Sequence, residues 1–173
     1  MKLVFSLLTL VLLAVNCDAQ LKKFETAVAY NDFIITEQVK IGKAIKEFNN
    51  IFTGSTDTNI VHQARIAIKN QADSSVKQIK MMQPYKGDTV LKKASINLFT
   101  FYAKAAVNEY TQLIQVFHND KIDNEEKRKQ LEAIIKAITD AEAIVDKNFG
   151  NAQKAFAAKH GFTLTENDFK MNE

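Results

Sequence analysis

Apolar side chains from Leu21 onward recur at alternating spacings of three and four residues, which is the period of an amphipathic α-helix. No segment sustains the alternation of apolar and polar residues that is typical of a half-buried strand. In the first segment, about residues 22 to 52, the spacing predicts a heptad seam that packs against neighbouring helices. The seam positions are Phe24, Ala27, Asn31, Ile34, Gln38, Ile41, Ile45, Phe48 and Phe52. Gly54 is expected to end this helix, because glycine adopts the left-handed conformation at little cost.

Capping residues and helix breakers divide the following stretch into two more helices. Asp57 or Thr58 can cap the second helix, and Pro84 ends it. Asp88 is expected to cap a third helix, whose apolar positions continue to Phe117.

The fourth predicted helix has the clearest start and stop signals. Asp123 is followed three residues later by Glu126, which is the spacing of a capping box. The helix is expected to end at His160-Gly161-Phe162, which combines a cation, a left-handed glycine and an apolar residue that folds back. Gly150 lies inside the helical pattern and is expected to mark a bend or a close packing contact.

Four long helices joined by short loops predict an all-α fold, an up-down-up-down antiparallel four-helix bundle. We assign residues 20–173 to a single domain of this kind, with residues 162–173 as a polar tail. Leu164 and Phe169 are the apolar residues expected to fasten this tail to the bundle.

The first 19 residues have the pattern of a secretory signal peptide. Lys2 supplies the positive start, and an apolar run follows from Leu3 to Val15. This run is too short for an ordinary spanning helix, which needs about 20 apolar residues. No later segment is apolar enough to cross a bilayer, so no transmembrane helix is expected in the mature chain. The protein is therefore predicted to be exported, with a periplasmic, secreted or cell-surface location.

Two cleavage positions are open. Cys17-Asp18-Ala19 places small residues three and one positions before Gln20, which fits the common small-residue rule. The alternative is that Cys17 becomes the lipid-modified first residue of a bacterial lipoprotein and carries a lipid anchor. Asn16 directly before Cys17 is larger than the residue usual at such sites, so cleavage after Ala19 is favoured.

Composition and charge narrow the classes of function. The chain of 173 residues is 46% hydrophobic and 25% charged, as in folded soluble domains. Its net charge of +3 is too small to indicate a nucleic-acid partner. A single cysteine excludes an internal disulfide framework and a thiolate metal cage.

Motifs for catalysis and cofactor binding are missing from the sequence. None of His62, His118 and His160 follows a glutamate by three residues, as a di-iron carboxylate site in a bundle requires. The chain has no haem-attachment motif, no nucleophile elbow and no glycine-rich phosphate loop. Met81, Met82 and His160 are nominal haem ligands, but core packing for Met82 and a helix-end position for His160 explain these residues more simply. We therefore expect no cofactor and no enzymatic activity.

Polar residues inside the predicted seams are the remaining candidates for a site. Asn31 and Gln38 lie two turns apart in the first helix, and Glu142 interrupts the seam of the fourth. One interpretation is that they set helix register or lie at the edge of the buried stripe. The other is a polar pocket in which Glu142 faces Arg65 or a ligand, close to Tyr102 in the aromatic row of the third helix.

Several motifs together resemble a family of exported bacterial helical surface proteins, some of them lipidated, whose function is unassigned. The motifs are Tyr30-Asn31-Asp32-Phe33-Ile34, the loop Gln83 to Asp88 followed by Phe101-Tyr102 and Asn108-Glu109-Tyr110, and the segment from Phe149 to Phe162. The resemblance spans nearly the whole mature chain and implies a bacterial envelope or secreted setting. It brings no catalytic residues.

The leading hypothesis is a non-enzymatic, exported bundle protein that acts by binding an unknown protein or an envelope component. The alternative is a carrier that holds a small apolar ligand between its helices near Asn31, Tyr102 and Glu142. These two functions differ in whether the binding surface lies outside or inside the bundle.

The leader prediction is tested by the intact denatured mass of the protein purified from its own host. We expect a mature chain that begins at Gln20 and contains no cysteine, because the small-residue rule fits cleavage after Ala19. A chain that begins at Cys17 and carries added acyl mass would contradict this prediction and would establish a lipid anchor.

Overall fold

The computed structural model describes residues 21–165, which form an all-α four-helix bundle. The third arm of the bundle consists of two helices, α3 and α4, separated by the single residue Asn108. The helices are α1 (Ala27–Gly54), α2 (Thr58–Lys80), α3 (Val90–Val107), α4 (Glu109–Phe117) and α5 (Asn124–His160). The predicted fold class is thus confirmed, and the residues of the leader and of the tail beyond position 165, including Cys17 and Phe169, lie outside the described part.

Most helix ends are where the capping residues predict them. The Asp57 carboxylate accepts a hydrogen bond from the Asn59 N–H at 2.8 Å, and Asp123 accepts one from Glu126 at 2.9 Å. Gly161 adopts the left-handed conformation with φ of 71°, and the N–H of Phe162 bonds back to Ala157 at 3.1 Å. These contacts satisfy backbone groups that a helix end would otherwise leave unpaired.

Two predicted helix ends differ in detail. Gly54 does not terminate α1 in a left-handed conformation, because it is the last helical residue and Ser55 continues the chain in an extended conformation. An extended exit does not require glycine. Thr89, and not Asp88, occupies the N-cap position of α3. The Asp88 carboxylate, one residue earlier, accepts a hydrogen bond from the Val90 N–H at 3.0 Å.

The third predicted helix is interrupted at Asn108, which the apolar pattern did not indicate. Asn108 has φ of −98° and ψ of −79°, away from helical values. Side chains satisfy carbonyls next to the break: Arg65 donates to Ala106 at 2.9 Å, and the Thr111 hydroxyl donates to Val107 at 2.7 Å. Polar side chains that compete for backbone groups in this way are a known cause of helix bending.

The core is built unevenly along the bundle. Helix α2 packs against α1 and α3, whereas α5 packs mainly against α3 and α4. Helix α5 has 37 residues, but its buried side chains all lie between Phe149 and Ala157. Its first half contributes only half-buried apolar residues, and Ile135 is 51% exposed. This half of α5 therefore leaves an open groove beside α1 and α4.

Gly150 gives a direct test of helix packing in α5. A Cβ atom built at this position meets no atom within 4 Å, so close packing does not require the glycine. Gly150→Ala is expected to raise the free energy of unfolding by about 1 kcal/mol, because glycine costs this much in a helix interior relative to alanine. Urea denaturation followed by circular dichroism measures the change.

Gly161 is the matched control for this substitution. Its Cβ would also meet open space, but its φ of 71° is unfavourable for alanine. Gly161→Ala should therefore lower the free energy of unfolding by about 1 kcal/mol. A decrease for Gly150→Ala would show that α5 needs the glycine for another reason.

Candidate binding site

The open side of the bundle forms a groove of about 340 Å³ between the C-terminal half of α1, α4 and the first half of α5. Its lining residues are Ile45, Phe48, Asn49, Phe52, Thr53, Tyr110, Leu113, Ile135, Ile138, Thr139 and Glu142. The groove exists because α5 approaches the core closely only beyond residue 148, so its first half leaves an opening beside α1 and α4. We call this feature the α1/α4/α5 groove.

Aromatic rings form one wall of the α1/α4/α5 groove. Phe48 stacks on Phe52 with ring centroids 5.4 Å apart and an interplanar angle of 15°. The Tyr110 ring meets Phe48 edge-on at 4.9 Å. Phe48 is almost fully buried and Phe52 half-buried, so the wall extends from the core to the surface. Such a wall offers both apolar contact and the negative faces of π-systems.

Glu142 marks the polar end of the α1/α4/α5 groove. The buried Tyr102 hydroxyl donates to Oε1 of Glu142 at 2.7 Å. Burial raises the pKa of Tyr102, and the neighbouring Glu142 charge raises it further. The same two causes raise the pKa of Tyr110. Both phenols therefore stay protonated at neutral pH, and the Tyr102 hydroxyl can act as a donor to the carboxylate.

The four polar site residues predicted from the sequence lie in two places. Tyr102 and Glu142 come together at the α1/α4/α5 groove, as the pocket interpretation expects. Gln38 lines a second groove of about 320 Å³ between α1 and the later part of α5. Asn31 lies close to this second groove and accepts a hydrogen bond from Gln153 of α5 at 2.9 Å. This contact between helices is of the kind that sets register.

The structure also shows where Arg65 and Leu164, two further residues discussed in the sequence analysis, make their contacts. Arg65 does not face Glu142, because its guanidinium reaches the Ala106 carbonyl instead. Leu164 is half-buried and lines the second groove beside Gln38, which places the start of the tail against the bundle. Among residues 21–165, no group of three or more His, Asp or Glu side chains is arranged to hold a metal ion.

The sequence pattern missed a buried carboxylate in α1. The Glu37 side chain is only 3% exposed, and its carboxylate accepts from the Ser75 hydroxyl of α2 at 2.8 Å and from Lys40 at 2.6 Å. Glu37 follows the buried Tyr30 by seven residues, so both belong to a second stripe beside the predicted seam. The seven-residue spacing between Tyr30 and Glu37 was the sequence signal that could have predicted the burial of Glu37.

Asp88 forms a second buried charged cluster where α3 begins and α5 ends. Its Oδ2 atom lies 2.9 Å from Lys159 Nζ and 3.3 Å from His160 Nε2. The His160 ring packs on Phe156 with centroids 4.5 Å apart and meets Tyr85 edge-on at 5.1 Å. Every member of this cluster holds a helix end or fills the core, and Asp88 and the His160 side chain are almost fully buried. The cluster is therefore structural.

Comparison of the chain with protein-family models, curated proteins and solved structures gives no match. The resemblance to exported bacterial surface proteins stays a prediction. Within residues 21–165, no helix is both long and apolar enough to cross a membrane.

Asp88 makes the stability of the fold depend on pH. Burial alone would raise the pKa of its carboxyl, but hydrogen bonds from Lys159, the Val90 N–H and His160 hold the pKa below its ordinary value of 3.8. We expect Asp88→Asn to lower the free energy of unfolding at pH 7 by about 1–3 kcal/mol. Because the pKa is lower in the folded state, this difference is present above pH 3.8 and shrinks as pH falls through the folded pKa.

Asp140→Asn is the control for this prediction. Asp140 pairs with Lys136 at 2.6 Å on the surface, with its side chain 63% exposed, and such pairs contribute about 0–1 kcal/mol. Urea titrations of both variants at pH 7, 5 and 3 measure the difference. Equal losses for the two variants, or a loss for Asp88→Asn that grows toward pH 3, would refute the role assigned to Asp88.

Proposed function

We propose that this protein is a non-enzymatic, exported binding protein that holds a small apolar ligand in its α1/α4/α5 groove. The observation that carries the proposal is the groove itself, where Ile135 and the aromatic wall face an opening rather than a packed helix. Its volume of about 340 Å³ falls in the range typical of small-molecule sites.

Apolar contact supplies the affinity in this proposal. Phe52, Leu113 and Ile138 line the groove together with the half-exposed Ile135. A ligand that covers such side chains removes apolar surface from water, worth about 25 cal/mol per Å². The few polar groups at the rim, including Thr139 and Glu142, supply orientation rather than affinity.

The chemistry of the groove favours binding over catalysis. Hydrolytic catalysis by side chains uses paired carboxylates, or a nucleophile beside a base. Glu142 is the one carboxylate among the described residues that line the groove, and its recorded partner is the Tyr102 hydroxyl. A single carboxylate held by a protonated phenol orients a ligand without activating water.

An exported setting, which rests on the leader at residues 1–19, makes the envelope or the medium the source of the ligand. A protein partner on the outer surface is the second candidate function. The observation that favours it is Ile144, which is 64% exposed on α5 and does not line the groove. Because single exposed apolar residues are common on soluble proteins, the groove carries more weight.

Ile135 and Ile144 allow a matched test of the groove. The probe is N-phenyl-1-naphthylamine, a neutral apolar dye whose fluorescence increases in apolar surroundings. Ile135→Ser should weaken dye binding about three- to tenfold, because it removes apolar contact from the groove. Ile144→Ser makes the same chemical change on the same helix outside the groove and should leave dye binding unchanged.

Three outcomes would contradict the proposed function. The first is the absence of saturable binding by the wild-type protein, and the second is equal weakening by the two substitutions. The third is a wild-type dimer, seen by size-exclusion chromatography, that Ile135→Ser converts to a monomer. In that case the groove would be an interface between two copies of the chain.

A further inference from the structure

The polar end of the α1/α4/α5 groove carries the negative charge of Glu142. Glu142 lines this groove, whereas Asp146, one helical turn later on α5, lines the second groove. Residues four apart lie on one face of a helix, so the Asp146 charge adds to the negative potential near Glu142. An anionic ligand head would meet this negative charge at close range.

The described part of the chain supplies no cation to balance Glu142. Among residues 21–165, no lysine, arginine or histidine forms a salt bridge with this carboxylate. Its recorded hydrogen bond uses only Oε1, which accepts from Tyr102 at 2.7 Å. Glu142 is half-buried beside an apolar wall, where the local dielectric is lower than in water. A hydrogen bond from a charged donor therefore stabilises this carboxylate more than it would stabilise a fully solvated carboxylate.

Glu37 differs from Glu142 because both of its carboxylate oxygens accept hydrogen bonds from side chains of this protein. Glu37 receives both the Ser75 hydroxyl and the Lys40 ammonium, one on each oxygen. Glu142 receives a neutral phenol and opens toward the groove. A ligand with a positively charged group can therefore act as the charged partner of Glu142.

The aromatic wall adds a second attraction for positive charge. Phe48, Phe52 and Tyr110 line the same groove as Glu142. Ammonium groups within about 6 Å of an aromatic centroid are attracted by the negative face of the ring. The groove thus combines rings and a carboxylate, the two kinds of group that recognise organic ammonium ions.

From these features we infer that the groove selects small organic cations, with the apolar group against the aromatic wall and Ile135, and the ammonium group at Glu142. This inference rests on the proposed function, because it assumes that the groove binds a small apolar molecule. It adds the chemical class of the ligand, an amphiphilic amine.

A ligand series with a constant tail tests the charge preference in the wild-type protein. Octylamine, octanol and octanoate share an eight-carbon chain and differ in the charge of the head group. Isothermal titration calorimetry at pH 7 should show octylamine binding about tenfold more tightly than octanol, because a charge-assisted hydrogen bond is stronger than a neutral one. Octanoate should bind more weakly than octanol.

Variants of Glu142 assign the preference to this carboxylate. Glu142→Gln keeps an oxygen acceptor for Tyr102 and should reduce the octylamine preference to near parity with octanol. Glu142→Asp keeps the charge and should keep most of the preference. Glu132→Gln is the control, since Glu132 lies on the same helix with its side chain 61% exposed and pairs with Arg128.

The outcomes separate this inference from the proposed function. If octanol and the naphthylamine dye bind but octylamine binds no more tightly, the amine inference is wrong and the proposed function stands. If none of the ligands binds, the proposed function fails and the inference fails with it. An octylamine preference that survives Glu142→Gln would also overturn the inference, because the charge would then lie elsewhere.

Discussion

The Asp88 carboxylate joins the start of α3 to the end of α5 through polar contacts. It accepts from the first N–H of α3, from Lys159 and from His160 at the end of α5, beneath the loop that leaves α2. Phe156 continues the same contact into the core by stacking on Tyr30 of α1 at 5.3 Å. These contacts hold the end of α5 against α1 and α3.

The long helix α5 is buried unevenly, and its buried part is next to the end that contacts Asp88. Its buried residues from Phe149 to Ala157 lie within the last turns before the Asp88 cluster. The first half extends along α4 with side chains that are half-buried or exposed. The groove is the space left where α5 runs beside α1 without closing on it. The candidate site thus lies along the half of α5 that is away from the Asp88 contacts.

Buried polar contacts give this bundle a defined register as well as a core. Glu37 reaches Ser75 across α1 and α2, and Gln153 reaches Asn31 across α5 and α1. A shift of either helix by one turn would leave these groups buried without partners, which costs free energy. Glu142 is different, because its partner Tyr102 is a neutral donor and its carboxylate lies at an opening.

Local and periodic signals in the sequence determined the fold class, most of the helix ends and the polar candidates. Asp57, Asp123 and Gly161 act within one turn of their own positions, so their roles can be recognised without knowledge of the neighbouring helices. The pairing of Tyr102 with Glu142 was also within reach, since both lie on predicted buried stripes.

Tertiary structure alone decided which faces meet and how closely. Arg65 from another helix donates to the Ala106 carbonyl next to the break at Asn108, and Ser75 of α2 donates to the buried Glu37. Asn31 and Gln38 share a stripe with the groove residues, yet the path of α5 separates them from Glu142. Periodicity specifies the direction in which a side chain points on its own helix. Contacts between helices depend on crossing angles and on the anchor at Asp88, which involve residues far apart in the chain.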